Sequence, residues 1–308
     1  MLSTLILSTL LLSSLKSTSV RLTHDLRSNN LVDHFDFFTG ADPTHGFVKY
    51  VDRDSAFREG LVKNEGGRFI LKSDTGEIAF NGRKSVRIES KQAFNRRTLI
   101  MLDLDHMPTG CGTWPAFWMF GPNWPNSGEV DIIEGVNQQE KNLYTLHTSD
   151  GCMQNGEGQT SKLITPNCYV NAPGQFDNQG CAMESNTNLS FGKGFNQNKG
   201  GVFATLWVDD AIKIWFFPRG SIPGDILNGN LNVDSWGAPS ANFKTEGNCS
   251  PNKFRDMKII FNLTFCGDWA GNAYQGCPGT CVDFVKNNPA QFNEAFFSVN
   301  YLKIYAVV

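Results

Sequence analysis

Three carboxylates stand close together in a strand-forming run near the middle of the 308-residue chain. Glu129, Asp131 and Glu134 lie among branched apolar residues, where charged residues are rare because burying a charge is costly without a partner or a function. Side chains alternate faces along a strand, so Glu129 and Asp131 share one face and Glu134 would point to the other. A β-bulge across Ile132 and Ile133 would return Glu134 to the shared face. The sequence therefore predicts three acids along one groove.

This set of carboxylates suits the cleavage of a glycosidic bond. That reaction needs an acid that protonates the leaving oxygen and a second carboxylate at the anomeric carbon, and a separation of about 5 Å gives retention. Two Glu side chains on one strand favour the short separation, and Asp131 between them could share a proton and push their pKa values apart. The alternatives are a calcium-ligand cluster and a solvated edge strand, although calcium loops space Asp, Asn and Gly differently.

Tryptophans near these acids are candidates for sugar binding, because a flat ring covers the apolar face of a pyranose and its N–H group donates at one edge. Trp124 precedes Glu129 by five residues in a loop, and Trp269 lies in a Gly-rich loop. Trp118 is an equally good candidate for the core. Of the seven tryptophans, those in or near strand runs are expected in the core: Trp207, Trp215 and Trp236.

Arg87 is a further candidate for holding sugar hydroxyls. It alternates with Val86 and Ile88 in a half-exposed strand pattern, so its side chain could extend into the groove. A surface strand arginine without a role is the competing interpretation.

Short strand-like runs recur along the chain and predict an all-β fold. Residues 202–208 and 211–217 are apolar runs separated by Asp209 and Asp210, which indicates a hairpin. Strands are also predicted at residues 85–89, 257–265 and 297–307. Helical periodicity is confined to residues 283–296, where Pro289 interrupts it. Strands without intervening helices favour an antiparallel sandwich over a parallel barrel.

Two stretches, residues 150–200 and 245–281, break the strand rhythm and hold seven of the eight cysteines. We interpret them as loops that disulfides hold around a groove, because long irregular loops are usually functional or disordered and cysteines indicate order. Cys277 and Cys281 have metal-like spacing, but no His pair accompanies them, so no metal site is predicted. Glycosylation sequons occur at Asn188, Asn248 and Asn262, the last within a predicted strand.

The first residues indicate export. Residues 5–12 are apolar and small residues follow, so residues 1–19 are predicted to be a cleaved signal peptide, with a membrane anchor or a buried strand as the alternatives. The even cysteine count agrees with an oxidising, extracellular location. No second apolar run could span a membrane. A net charge of −3 does not suggest electrostatic binding to nucleic acid. Residues 20–308 are predicted to form one catalytic domain.

The chain resembles glycoside hydrolase family 16, in its laminarinase-like branch, over roughly residues 35–307. The run GEVDIIEG at residues 128–135 is similar to the family signature, with the extra residue before the last Glu. The whole pattern is similar to that of fungal secreted endo-β-1,3(4)-glucanases. Four further segments carry the resemblance: TWPAFW at 113–118, LHT at 146–148, FCGDWAG at 265–271 and VNYLKIY at 299–305.

The resemblance implies a concanavalin A-like β-jelly-roll sandwich of two antiparallel sheets with a concave sugar-binding cleft. It gives Glu129 the position of the nucleophile, Glu134 that of the acid/base and Asp131 that of the assisting carboxylate. It places His147 near the acid/base, although a half-buried structural histidine is the alternative. It also implies a β-1,3-glucan substrate, with possible mixed-linkage tolerance, and no cofactor. Because an endo-acting groove must stay open to a long polymer, we expect a monomer.

Three other functions remain open at this stage. A cell-wall transglycosylase would share the covalent intermediate and pass it to a sugar hydroxyl. A lectin-like module would bind glucan without turnover, but it would not need two ionisable Glu residues. A structural extracellular protein would explain the cysteines and leave the three carboxylates without a purpose.

Overall fold

The computed structural model describes residues 18–308, and within them the chain forms two packed antiparallel sheets of eight strands each. The predicted apolar segment at residues 5–12 lies outside the described residues. Within them no helix is both long and apolar enough to cross a membrane. In chain order the strands are β1 Val20–Leu26, β2 Phe35–Phe37, β3 Val48–Tyr50, β4 Val62–Glu65, β5 Arg68–Lys72, β6 Arg83–Ser85, β7 Arg87–Ser90, β8 Thr98–His106, β9 Thr113–Phe120, β10 Glu129–Glu134, β11 Leu143–His147, β12 Lys162–Leu163, β13 Cys181–Glu184, β14 Gly201–Trp207, β15 Ala211–Pro218, β16 Ala241–Lys244, β17 Lys258–Phe265 and β18 Phe296–Val307.

Helical segments are short and connect the strands. The α-helices are α1 Arg53–Arg58, α2 Gly192–Gln197, α3 Gly224–Asn228 and α4 Cys281–Asn287. One π-helical turn spans Gly267–Gly271. The 3₁₀ turns are Leu31–His34, Arg219–Ser221, Val233–Ser235, Pro251–Lys253 and Pro289–Phe292.

The sheet that carries the three carboxylates, here called the site sheet, has the strand order β12-β13-β11-β10-β9-β17-β7-β2. The opposing sheet, the back sheet, has the order β16-β15-β14-β8-β18-β5-β4, with β1 paired to β18. Apolar residues from the facing sides of both sheets form one buried core. This arrangement confirms the predicted antiparallel sandwich. The face of the site sheet that points away from this core is called the site face.

The predicted hairpin at Asp209 and Asp210 is confirmed. β14 and β15 pair antiparallel with Trp207 opposite Ile212, and the Val208 N–H donates to the Ala211 carbonyl at 2.9 Å. The predicted strands at 257–265 and 297–307 are β17 and β18 within one residue at each start.

Two element predictions need correction. The run 85–89 is divided between β6 and β7, because β6 pairs in parallel with β3 while β7 pairs with β17 and β2. The helix predicted over 283–296 ends at Asn287, since Pro289 cannot continue it; a 3₁₀ turn follows and β18 begins at Phe296.

The tryptophans expected in the core are buried, as predicted. Trp207 lies in the core between the sheets. Trp215 and Trp236 belong to a second apolar cluster on the outer side of the back sheet, where their rings meet edge to face at 5.4 Å.

All eight cysteines are paired, which confirms the predicted disulfides. One bond joins the two Cys-rich stretches directly, whereas the stretches themselves contain β12, β13, α2 and β17 and are less irregular than predicted. The pairs are Cys111–Cys277, Cys152–Cys249, Cys168–Cys181 and Cys266–Cys281.

Loop length should determine how much each disulfide stabilises the fold. Cys152 and Cys249 are 97 residues apart, so replacing both with Ala should lower the free energy of unfolding by about 4–5 kcal/mol. Cys168 and Cys181 are 13 residues apart, and the matched double variant should lose about 3 kcal/mol. Denaturant unfolding of both variants measures the difference. A larger loss for the shorter loop would contradict the loop-closure explanation.

Candidate active site

The predicted β-bulge is present in β10. Asp131 and Ile133 lie opposite consecutive residues of β9, which leaves Ile132 as the extra residue. Ile132 and Ile133 are both fully buried in the core between the sheets. Because two successive side chains point inward, Glu134 returns to the site face beside Glu129 and Asp131.

Each of the two glutamates accepts a hydrogen bond from an indole. Trp124 Nε1 donates to Oε2 of Glu129, and Trp114 Nε1 donates to Oε1 of Glu134 at 3.0 Å. Trp269 meets the Trp114 ring edge to face at 5.6 Å. An indole orients a carboxylate without neutralising its charge, so both glutamates keep their acid–base capacity. Trp124 thus contacts a carboxylate directly and Trp269 lies one ring away, while sugar binding by both stays a prediction.

His147 lies beside Asp131 at the bottom of the site. In the β10–β11 register it is opposite Glu129, and its Nε2 atom is 3.3 Å from Oδ2 of Asp131. Both side chains are buried, and Asp131 Oδ2 and His147 Nδ1 have no hydrogen-bond partner. Gly180 packs against the imidazole, because an added Cβ would lie 2.9 Å from Nδ1. The resemblance places His147 near the acid/base Glu134, whereas its contact in the structure is with Asp131, and its role in the site stays a prediction.

Burial holds the carboxylates towards their neutral forms. It raises the pKa of Glu129, Asp131 and Glu134, each to about 8, and for both glutamates the charge of Asp131 raises the pKa further. His147 acts in the opposite direction on both glutamates. Because the charge of one acid raises the pKa of its neighbours, the three acids titrate as one coupled set. The site can therefore hold an ionised carboxylate and a protonated one together.

One group among residues 18–308 has spacing that would suit a metal ion: Glu129, Asp131 and His147 each offer a ligand atom, and these atoms lie within 4.8 Å of one another. A metal ion would need these carboxylates deprotonated. Burial raises the pKa of both carboxyls to about 8, so a metal ion would have to displace protons when it binds here.

Trp118 lies on the site face opposite Asp131, half-buried and held at its edge. Its Nε1 atom donates to Oδ1 of Asn262 at 2.7 Å, and its ring stacks on Phe120 at 5.2 Å. Trp118 therefore presents a fixed ring to the groove and does not belong to the core. The Asn262 amide is buried in this contact, whereas the sequon residues Asn188 and Asn248 are exposed.

Arg87 is buried on the same face instead of extending into open solvent. Its guanidinium pairs with Glu89 at 2.8 Å and lies over three rings, at 4.5 Å from Phe38, 5.2 Å from Trp118 and 5.9 Å from Phe120. These contacts favour a role in holding Trp118, and direct contact with sugar hydroxyls stays a prediction.

Two residues of the site had not been singled out. Trp114 entered the sequence analysis only as part of the segment TWPAFW, although its four-residue spacing from Trp118 places both rings on one face of β9. Asn142 gave no signal, because a single Asn before a strand is common in turns. Its side chain donates to the Ile132 carbonyl and accepts from the Glu134 N–H group.

The chain is similar to a family model and to several known proteins. The family model described as "XgeA-like, catalytic GH16 domain" matches residues 35–305. An endo-1,3(4)-β-glucanase of Arthroderma benhamiae is 45% identical over 295 residues, which are 92% of this chain and 64% of that protein. The chain thus spans less than two thirds of that relative.

Two solved structures are similar over almost the whole chain. Laminarinase 16A of Phanerochaete chrysosporium, described with two β-glucans in its donor and acceptor sites, is 41% identical with a TM-score of 0.88, over 93% of this chain and 99% of that one. An elongating family 16 β-1,3-glucosyltransferase is also 41% identical with a TM-score of 0.88, over 94% of this chain and all of that one.

The buried acids should make stability fall as pH rises. A carboxyl whose folded pKa lies near 8 and whose unfolded pKa is near 4 binds more protons when folded, so the free energy of unfolding decreases between those values. Asp131→Asn removes this titrating group. Between pH 4 and pH 7 the variant should therefore lose less free energy of unfolding than the wild type, by on the order of 2 kcal/mol. Urea unfolding at both pH values measures it. If the free energy of unfolding depends on pH in the same way in variant and wild type, the pKa of Asp131 is not raised in the folded protein.

Proposed function

The chain belongs to glycoside hydrolase family 16, and from that premise we propose that it is a secreted endo-β-1,3(4)-glucanase acting on internal bonds of laminarin-type β-1,3-glucan. The observation that carries the proposal is the placement of Glu129 and Glu134 on one face of β10 with Asp131 between them. The Arthroderma relative named endo-1,3(4)-β-glucanase and the glucan-bound laminarinase support the same substrate class.

In the proposed first step, ionised Glu129 attacks the anomeric carbon. The bond to the leaving oxygen breaks, and that oxygen takes the proton of Glu134. A glycosyl ester on Glu129 is formed, and the part of the glucan beyond the cleaved bond departs with a free hydroxyl. The raised pKa of Glu134 supports this role, because the residue stays protonated when a neighbouring carboxylate is ionised.

In the second step Glu134, now ionised, removes a proton from water, and the water oxygen attacks the same carbon. Glu129 leaves as a carboxylate, so the two inversions give retention. Asp131 is proposed as the assisting carboxylate, since its charge acts on the pKa of both glutamates and its side chain meets His147. No cofactor takes part in the proposal.

We propose that Trp118, Trp124 and Trp269 contact the glucan along the site face, with His147 near the leaving side. All three rings are partly exposed, the indole N–H groups of Trp118 and Trp124 are hydrogen-bonded, and Trp269 packs on Trp114. These contacts support the assignment, because a rigid aromatic surface loses little entropy when it binds a sugar. Arg87 is proposed to act on the same sugars through Trp118. We also propose that the protein is a monomer, because a groove that accepts a long polymer must stay open.

Secretion is part of the proposal. Four disulfides support an oxidising compartment. We propose that residues 1–19 are a signal peptide and that residues 20–308 form the mature catalytic domain. The structure has β1 starting at Val20, directly after that segment.

A second candidate function is glucan transglycosylation. The similarity to the elongating β-1,3-glucosyltransferase favours keeping it open. In that reaction a sugar hydroxyl replaces water in the second step, and Glu134 removes its proton in the same way. The two functions differ only in the acceptor.

Product sizes should identify the activity. Incubation with laminarin should release a mixture of short oligosaccharides, because an open groove admits internal bonds. Barley mixed-linkage glucan tests tolerance for β-1,4 bonds, and cellulose serves as the control that should stay intact. Chromatography of the products over time is the measurement. Longer products from added oligosaccharides without net release would indicate a transglycosylase, and binding without turnover would indicate a lectin.

Azide should distinguish the two glutamates. Glu129→Ala should lower hydrolysis of an activated aryl glycoside at least about 1,000-fold, and azide should restore turnover with an inverted glycosyl azide, since it replaces the nucleophile. Glu134→Ala should instead give a glycosyl azide of retained configuration, because the ester on Glu129 still forms. NMR of the anomeric proton measures the configuration. Interchanged outcomes would mean that the two roles are interchanged.

A further inference from the structure

The bulge in β10 leaves two backbone groups without the usual sheet partner. β10 and β11 pair through Glu129, Val130 and Asp131, and the ladder stops there. Beyond that point the carbonyl of Ile132 and the N–H group of Glu134 still point to the side of β11. Buried backbone groups of this kind need a hydrogen-bond partner, because leaving one unmade costs about 1–3 kcal/mol.

The side chain of Asn142 takes the place of the missing ladder. Its Nδ2 atom donates to the Ile132 carbonyl at 2.9 Å, and its Oδ1 atom accepts from the Glu134 N–H group at 3.0 Å. One partner can only accept and the other can only donate, so the orientation of the amide is fixed by its surroundings. The residue has no solvent-exposed surface.

Asn142 is itself anchored through its backbone. Its N–H group donates to Oγ of Ser190 at 3.0 Å, and its carbonyl accepts from the N–H group of Ser185 at 2.9 Å. The Ser190 hydroxyl in turn donates to the Thr187 carbonyl at 2.8 Å. The segment before α2 therefore fixes Asn142, and Asn142 fixes the backbone at the end of β10.

We propose that Asn142 is a positioning residue for the acid/base Glu134. By holding the backbone on both sides of Ile133, it sets the direction in which the Glu134 side chain leaves the strand. Trp114 donates to the carboxylate, so the Glu134 side chain is held at its backbone and at its tip. This inference rests on the proposed glucanase function and adds a residue that never touches the sugar.

A misdirected Glu134 side chain can be distinguished from a general loss of stability by its effect on two substrates. Protonation of the leaving oxygen matters for a glucan, whose leaving group is a poor one, and hardly matters for a dinitrophenyl glycoside, whose leaving group needs no proton. A variant in which Glu134 is misdirected should therefore lose activity selectively on the glucan. A variant that is only less stable loses both activities in proportion to the folded fraction.

The test compares Asn142→Ala with wild type on laminarin and on a dinitrophenyl β-glucoside oligomer, per folded molecule and well below the unfolding temperature. We expect kcat/KM to fall about 100-fold on laminarin and less than about threefold on the aryl substrate. Azide should raise the kcat of the variant on the aryl substrate and give a retained glycosyl azide, as for Glu134→Ala. The near-isosteric Asn142→Asp keeps the acceptor for Glu134 and should show a smaller selective loss.

Asn196 supplies the matched control. Its amide makes the same pair of bonds, accepting from the Met107 N–H group at 2.9 Å and donating to the Met107 carbonyl at 3.0 Å, away from the site sheet. Asn196→Ala should lower stability without changing the ratio of the two activities. Equal losses on both substrates for Asn142→Ala and Asn142→Asp would overturn the inference while leaving the glucanase function intact. A wild type that turns over neither substrate would overturn the function itself.

Discussion

The extra residue in β10 is the constraint on which the site depends. A regular strand alternates its side chains, so the interval of five residues between Glu129 and Glu134 would place them on opposite faces. Burial of Ile132 and Ile133 together in the core supplies about 2 kcal/mol for each side chain and holds the bulged conformation. Hydrophobic burial on one side of the sheet thus decides the position of an ionisable group on the other.

This solution places three acids where water is scarce, at a cost that the rest of the fold must offset. The continuous core between the sheets and four disulfides provide that stability. The same burial gives the acids their raised pKa values, and strongly perturbed pKa values concentrate at functional sites. The chemistry of the site and its instability therefore have a common physical origin.

The sequence allowed prediction of those features that have a local pattern. The bulge follows from adjacent Ile residues between two acids, the hairpin from Asp209 and Asp210, and the helix end from Pro289. Asn142 could not be predicted, because its role depends on a ladder that ends in three dimensions. The burial of Arg87 was missed although Glu89, two residues on, shares its face and neutralises it. α1 has an Asp52 cap on the Ser55 N–H group, but its six residues are too few for periodicity.

The two indole hydrogen bonds give the site an optical property. Trp124 and Trp114 each donate to one glutamate, and the emission of an indole responds to a nearby change of charge. Each proposed reacting group therefore carries its own chromophore within hydrogen-bonding distance. The intrinsic fluorescence of the protein therefore depends on the protonation state of its own acids, without any label. Trp124 is 41% exposed and Trp114 is more enclosed, so the two indoles lie in environments of different polarity.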